Sequence, residues 1–191
     1  MRYIALVTAF AILSVHSAQA SKGNDMTGSD FVSTHYSEKW RAVNDGVMGG
    51  LSSGGPYFED NNMVFEGVIN TNGGGFSSVR LSIDSSQLAT SSGLALRLKS
   101  DGRAYKLTLK TNMRYRSRHV SFQAEIPRTP GGTWSNIIVP FTDLRASIFG
   151  RPIIGAEFDK TQVREIGIIL ADGQNGAFRL DVGSIQPSPS P

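Results

Sequence analysis

The chain has 191 residues, no cysteine and a formal net charge of +3. One domain of this size can build a core without disulfides, and the missing thiols exclude cysteine nucleophiles, zinc–thiolate sites and iron–sulfur clusters. So small a charge excess makes no whole-protein case for a nucleic-acid partner.

The chain opens with Arg2, the uncharged run Tyr3–Val15 and the triplet Ala18-Gln19-Ala20. This pattern predicts a secretory leader over residues 1–20, and hence a periplasmic or secreted protein. The run is shorter than the about 20 apolar residues of a membrane span. One arginine and no polar face do not fit a mitochondrial transit peptide. No later stretch is apolar enough to span a membrane. Residues 21–30 are expected to be flexible and residues 31–186 to form one domain. Residues 187–191, Pro-Ser-Pro-Ser-Pro, read as a polar tail that cannot join a sheet.

Within the domain the dominant period is two. Val79, Leu81 and Ile83 alternate with Arg80 and Ser82; Leu94, Leu96 and Leu98 with Arg97 and Lys99; Tyr105, Leu107 and Leu109 with Lys106, Thr108 and Lys110. The same rhythm runs through Val120–Ile126 and Phe178–Val182. Each segment reads as a half-buried strand. Ile166–Leu170 is apolar on both faces and so should be central. Pro127–Gly132 should break a strand pair, and Asp172–Gly176 has the turn dipeptides of a hairpin connection. Ser85–Thr90 and Gly155–Gln162 could each hold a turn or two of helix. Nine or ten short strands with almost no helix predict an all-β antiparallel sandwich or jelly roll. The alternating βαβ pattern of nucleotide-binding folds is absent.

Two glycine-rich stretches stand out, Asn44–Gly55 (NDGVMGGLSSGG) and Asn70–Arg80 (NTNGGGFSSVR). Neither carries the lysine of a phosphate-binding loop. Gly73–Ser78 has serine where a dinucleotide fingerprint needs its last glycine, and a strand pattern follows it. Gly50-Leu51-Ser52-Ser53-Gly54 matches G-x-S-x-G, but Gly55-Pro56 forbids the helix a nucleophile elbow requires. The remaining role for these glycines is architectural, letting backbones approach and bend.

Past the leader only His35 and His119 remain, without zinc-ligand spacing. Asp25, Asp30, Asp45, Asp60 and Asp172 fall in loops, where they cap turns or lend oxygens to a calcium ion. Arg114–His119 is the one basic cluster, expected at a hairpin tip. It is suited to an anionic glycan or phosphate, or is simply a solvated loop.

The stretch Trp40–Ser52, with its core Asn44-Asp45-Gly46-Val47-Met48-Gly49-Gly50, resembles the opening signature of the complex I intermediate-associated protein 30 family. Phe65-Glu66-Gly67 with Gly73–Arg80 is similar to that family's next block. Leu96–Tyr105, Trp134–Phe141 and Ile166–Leu180 resemble later ones, so the resemblance spans roughly residues 31–186 in order. It implies a galactose-binding-like jelly roll, similar to carbohydrate-binding modules. It also implies an assembly-factor or chaperone-like role without catalysis, here with a protein partner in the cell envelope.

No catalytic set, metal site or cofactor site is predicted. The candidate binding residues are Asp45, Met48, Gly49, Gly50 and Ser52 in the first glycine loop, with Met48 either exposed or folded into the core. Glu66, Arg80, Arg97 and Trp134 are candidates on a polar sheet face. The alternative to a protein partner is a glycan, held by outward positions Glu66, Arg80, Arg97, Lys99, Lys106, Arg179 and Asp181 with Trp134, Tyr57 and Tyr115 for stacking. Arg80 and Arg97 could instead pair with Glu66 and Asp181 as a surface network.

Overall fold

A computed structural model describes residues 30–189. The predicted leader, residues 21–29 and the last two residues lie outside the described part. Twelve strands follow one another: β1 (Arg41–Asn44), β2 (Ser53–Glu59), β3 (Asn62–Ile69), β4 (Ser77–Ser82), β5 (Ser91–Ser100), β6 (Tyr105–Tyr115), β7 (Arg118–Glu125), β8 (Trp134–Pro140), β9 (Arg145–Ile148), β10 (Arg151–Pro152), β11 (Val163–Leu170) and β12 (Gly176–Pro189). The only helical elements among the described residues are five single turns, two of them within Ser85–Thr90 and Gly155–Gln162. The strands form a seven-stranded sheet, β1-β4-β11-β6-β7-β9-β10, and a five-stranded sheet, β2-β3-β12-β5-β8. All pairings are antiparallel. The two sheets pack face to face as a jelly-roll sandwich.

The period-two pattern decides which side chains enter the core. Val79, Leu81, Leu107, Leu109, Ile166 and Ile168 line it from one sheet. Met63, Phe65, Leu96, Leu98, Leu180 and Val182 line it from the other. β11 lies between β4 and β6, which explains its apolar run. Phe65 and Phe178 meet edge to face at 4.8 Å, and Tyr105 joins them across the sandwich at 6.3 Å from Phe65. Trp40 closes one end, its indole N–H donating to the Phe31 carbonyl at 2.9 Å.

Three expectations are corrected. Asp172–Gly176 is no hairpin turn, because β11 and β12 belong to different sheets. This corner is clamped by Arg103, whose guanidinium grips Asp172 at 2.7 and 2.9 Å and the carbonyls of Gln174, Gly176 and Ala177. Pro127–Gly132 likewise carries the chain from one sheet to the other. The tail does join a sheet: Pro187, Ser188 and Pro189 pair with Leu94, Gly93 and Ser91 of β5. The prolines are accommodated because β3 has left β12 after Val182. At Ile185 the backbone N–H already turns away from β5 to the Asp30 carboxylate. Pro187, two residues on, needs no donor on that side. Asp30 is thereby pinned, against the expectation that residues 21–30 are flexible up to their last member.

Candidate functional site

The two glycine stretches meet around one buried carboxylate. Asp45 is 0% exposed. Its Oδ1 accepts from the Ser52 amide at 2.9 Å. Its Oδ2 accepts from the Ser52 hydroxyl at 2.6 Å and from the amides of Gly75 at 2.5 Å and Phe76 at 3.2 Å. Burial pushes this carboxyl up, but the bonds from Ser52, Gly75 and Phe76 outweigh it and hold it below its ordinary value. A side chain at Gly50 or Gly74 would overlap the carboxylate. These two glycines exist so that both loops can close on Asp45. Ser52 extends the knot, its Oγ accepting from the Asn70 amide at 3.0 Å. Among the described residues no imidazole reaches that hydroxyl: His35 bonds Lys39, and His119 contacts the Thr111 carbonyl and Arg164.

The knot holds a short loop whose side chains face outward. A single helical turn covers Asp45–Met48, and Gly49 reverses it at φ 86°. Val47 is 76% exposed, Met48 56% and Leu51 69%. Met48 therefore does not fold into the core. Of the five loop candidates, Asp45 and Ser52 are consumed by the anchor, Gly49 and Gly50 shape it, and Met48 is displayed. Val47 and Leu51, also displayed, were missed; their apolar character in a glycine-rich loop was the available signal.

The polar-face candidates divide between the two sheets. Glu66, Arg97 and Trp134 lie on the outer face of the five-stranded sheet with Lys99, Arg179 and Asp181. There Tyr57, Val64, Asp181, Lys99 and Trp134 are register neighbours across all five strands. This places Tyr57 and Trp134 at opposite edges, about 19 Å apart at ordinary strand spacing. Between them Arg179 bonds Asp181 at 2.8 Å, the Tyr57 hydroxyl at 3.0 Å, and Glu66 and Glu59 at 3.3 and 3.4 Å. Lys99 takes the other Asp181 oxygen at 2.8 Å. Arg97 pairs with neither Glu66 nor Asp181; its guanidinium stacks on Trp134 at 4.1 Å. Gly183, where β12 bulges, leaves room beneath that stack.

Arg80 and Lys106 sit on the other sheet. Arg80 lies beside Arg41 in register and far from Glu66 and Asp181 in topology. Its neighbourhood centres on Glu165, 4% exposed, which the sequence reading did not single out. Glu165 pairs with Arg41 at 2.7 Å, Arg164 at 3.3 Å and Lys110 at 3.9 Å. Burial pushes the Glu165 carboxyl up, but Arg41, Lys110 and Arg164 together hold it below its usual range. Among the described residues no group of three His, Asp or Glu is placed to hold a metal ion. No described helix is long and apolar enough to cross a membrane.

Two antiparallel sheets of this order form a galactose-binding-like jelly roll, a fold with solved examples among carbohydrate-binding modules. The chain belongs to the family described as Complex I intermediate-associated protein 30 (CIA30), which matches residues 29–182. It is similar in fold to the family 11 carbohydrate-binding module of the cellulosomal cellulase Lic26A-Cel5E of Clostridium thermocellum. The TM-score is 0.61 and the identity 16%, over 80% of this chain and 88% of that one. The Clostridium thermocellum family 11 module in complex with a β-1,3-1,4-mixed-linked tetrasaccharide gives 0.59 and 17%, over 80% and 89%. A family 30 carbohydrate-binding module gives 0.51 and 14%, over 74% and 92%. Among curated proteins no sequence matches.

Proposed function

We propose that the protein is a non-catalytic binding module of the cell envelope that docks a protein partner through Val47, Met48 and Leu51. The observation that carries this reading is the contrast within one loop: three exposed apolar side chains on a backbone fixed by a fully buried, four-fold bonded carboxylate. A rigid apolar prong loses little freedom on binding, so loop ordering offsets less of what its buried area contributes. Met48 supplies a side chain that adapts to the contour of a pocket. Family membership agrees with this role. The test is a photo-crosslinking residue at position 48, with position 138 on edge strand β8 as control; Ile138 is 63% exposed. One discrete adduct from position 48, lost on Leu51→Ser, is the expected result. No adduct, or the same adducts from both positions, rejects the docking role.

A second reading is favoured by the Tyr57–Trp134 row. Aromatic rings at both edges of a polar five-strand face suit a sugar chain laid across it, with Arg179, Lys99 and Asp181 meeting its hydroxyls. The test is a thermal-shift titration with neutral and acidic oligosaccharides. A ligand at one hundred times Kd stabilises by about 2.7 kcal/mol. The reading requires that stabilisation to vanish in Trp134→Ala and Tyr57→Ala.

A further inference from the structure

Two hairpin tips at one end of the seven-stranded sheet belong to neither surface above. The β6–β7 tip is Arg114-Tyr115-Arg116-Ser117-Arg118, and the β9–β10 tip is Ile148-Phe149-Gly150-Arg151. β7 runs beside β9 with Ser121 opposite Ser147, which brings the tips together. The Arg118 guanidinium lies 5.0 Å from the Phe149 ring centre, and that of Arg116 lies 5.5 Å from the Tyr115 ring.

Phe149 is 71% exposed and Tyr115 44%. Phe149 also holds a left-handed backbone, φ 49°, immediately before Gly150. A bulky residue is a costly choice there, where asparagine or glycine would sit without strain. Such strain points to a use outside the fold. Arg114, Arg116, Arg118 and Arg151 form no ion pair among the described residues. Neither tip contains an acid. The result is a projecting point with four uncompensated guanidinium groups and two exposed aromatic rings.

We infer that these paired tips dock the protein on an anionic phospholipid surface. The guanidinium groups bind lipid phosphates in their forked geometry. Phe149 and Tyr115 enter the boundary between headgroups and acyl chains, where amphipathic and aromatic side chains settle. A soluble polyanion would engage the guanidinium groups, but charge alone would give Phe149 no reason to face water. A planar lipid layer satisfies both features together.

The experiment is co-sedimentation of the full chain with two kinds of vesicle, phosphatidylcholine alone and phosphatidylcholine with phosphatidylglycerol. The neutral vesicles subtract any partition due to the apolar N-terminal segment. Binding specific to the anionic vesicles is expected, weakening with salt. Arg116→Ser with Arg118→Ser should lower that partition roughly 30-fold, about fivefold for each arginine. Phe149→Asn should lower it several-fold with Tm unchanged or raised, because asparagine tolerates the left-handed backbone. Equal partition on both vesicles overturns the inference, as does anionic binding that ignores all these substitutions. A fall in Tm for Phe149→Asn without loss of binding assigns Phe149 to the fold and overturns it too. Binding of soluble polygalacturonate without vesicle binding replaces the lipid by an acidic polysaccharide.

Discussion

Asp45→Asn keeps the side-chain volume and removes one acceptor, so it isolates the anchor from the packing around it. In the wild type Oδ2 serves three donors, the Ser52 hydroxyl and the Gly75 and Phe76 amides, while Oδ1 serves the Ser52 amide. An amide can place its oxygen on only one side. Turned toward Gly75 and Phe76, its NH2 group meets the Ser52 N–H; reversed, it meets both loop amides. Either pose orphans at least one buried donor, at about 1–3 kcal/mol, and removes the charge from the surviving bonds. A bond to a charged partner is worth about 1.5–3 kcal/mol against about 1 for a neutral one, so with three surviving bonds the total loss is at least about 3 kcal/mol. That is a large share of a domain's about 5–15 kcal/mol. Urea unfolding should show the midpoint falling with an unchanged m-value. The pH dependence follows from the lowered folded pKa. The carboxylate's contribution is complete above its unfolded value of about 3.9 and is lost as pH falls through the lower folded value. The gap between wild type and variant should therefore be flat from about pH 5 upward and narrow in strong acid. A loss below about 1 kcal/mol at neutral pH, within the range of an ordinary neutral bond, would refute the anchor.

Gly50→Ala and Gly74→Ala should each cost at least about 1–3 kcal/mol in the same urea assay, because the new methyl overlaps the Asp45 carboxylate. Gly46→Ala, whose methyl would meet nothing within 4 Å, should stay within about 0.5 kcal/mol of wild type. Arg103→Ala should destabilise by about 3–5 kcal/mol, since it leaves Asp172, with a side chain only 3% exposed, as an uncompensated buried charge. Hydrogen exchange should localise that loosening to residues 172–177. Val47→Ser with Leu51→Ser should leave Tm within about 2 °C while abolishing the crosslink from position 48, because exposed side chains contribute little to folding.

Five strands, β4, β5, β6, β7 and β12, were legible because one buried face per strand leaves a period-two imprint. What the alternation does not record is the sheet a strand joins. Arg80 and Arg97 have the same outward phase, yet β4 and β5 lie in different sheets, so the expected platform divides. Turn chemistry has the same blindness. Asp172-Gly173 reverses a chain equally well whether the next strand pairs with the last or crosses the sandwich. The decision lies with Arg103, about seventy residues away in sequence. β9 and β10, of four and two residues, are too short to show a period. Asp45 was legible as important and illegible in role. An aspartate among glycines reads as exposed until a second loop is known to close over it.

On the proposed docking role, the same placement would let one chain keep its fold while its binding surface varies. The anchor uses Asp45, Ser52, the amides of Gly75 and Phe76, and the bare α-carbons of Gly50 and Gly74. The displayed positions Val47, Met48 and Leu51 contribute none of those bonds. Substitution at the displayed positions should then alter partner choice at nearly constant stability, whereas substitution at the anchor alters stability first and binding only as a consequence. Two families of variants separate these effects in one experiment, with crosslinking yield plotted against unfolding free energy. Anchor variants should fall on a single falling line, since their loop is lost with the fold. Display variants should fall vertically below wild type. If both families share one line, Val47, Met48 and Leu51 belong to the fold, and the docking surface must be sought on the Tyr57–Trp134 face.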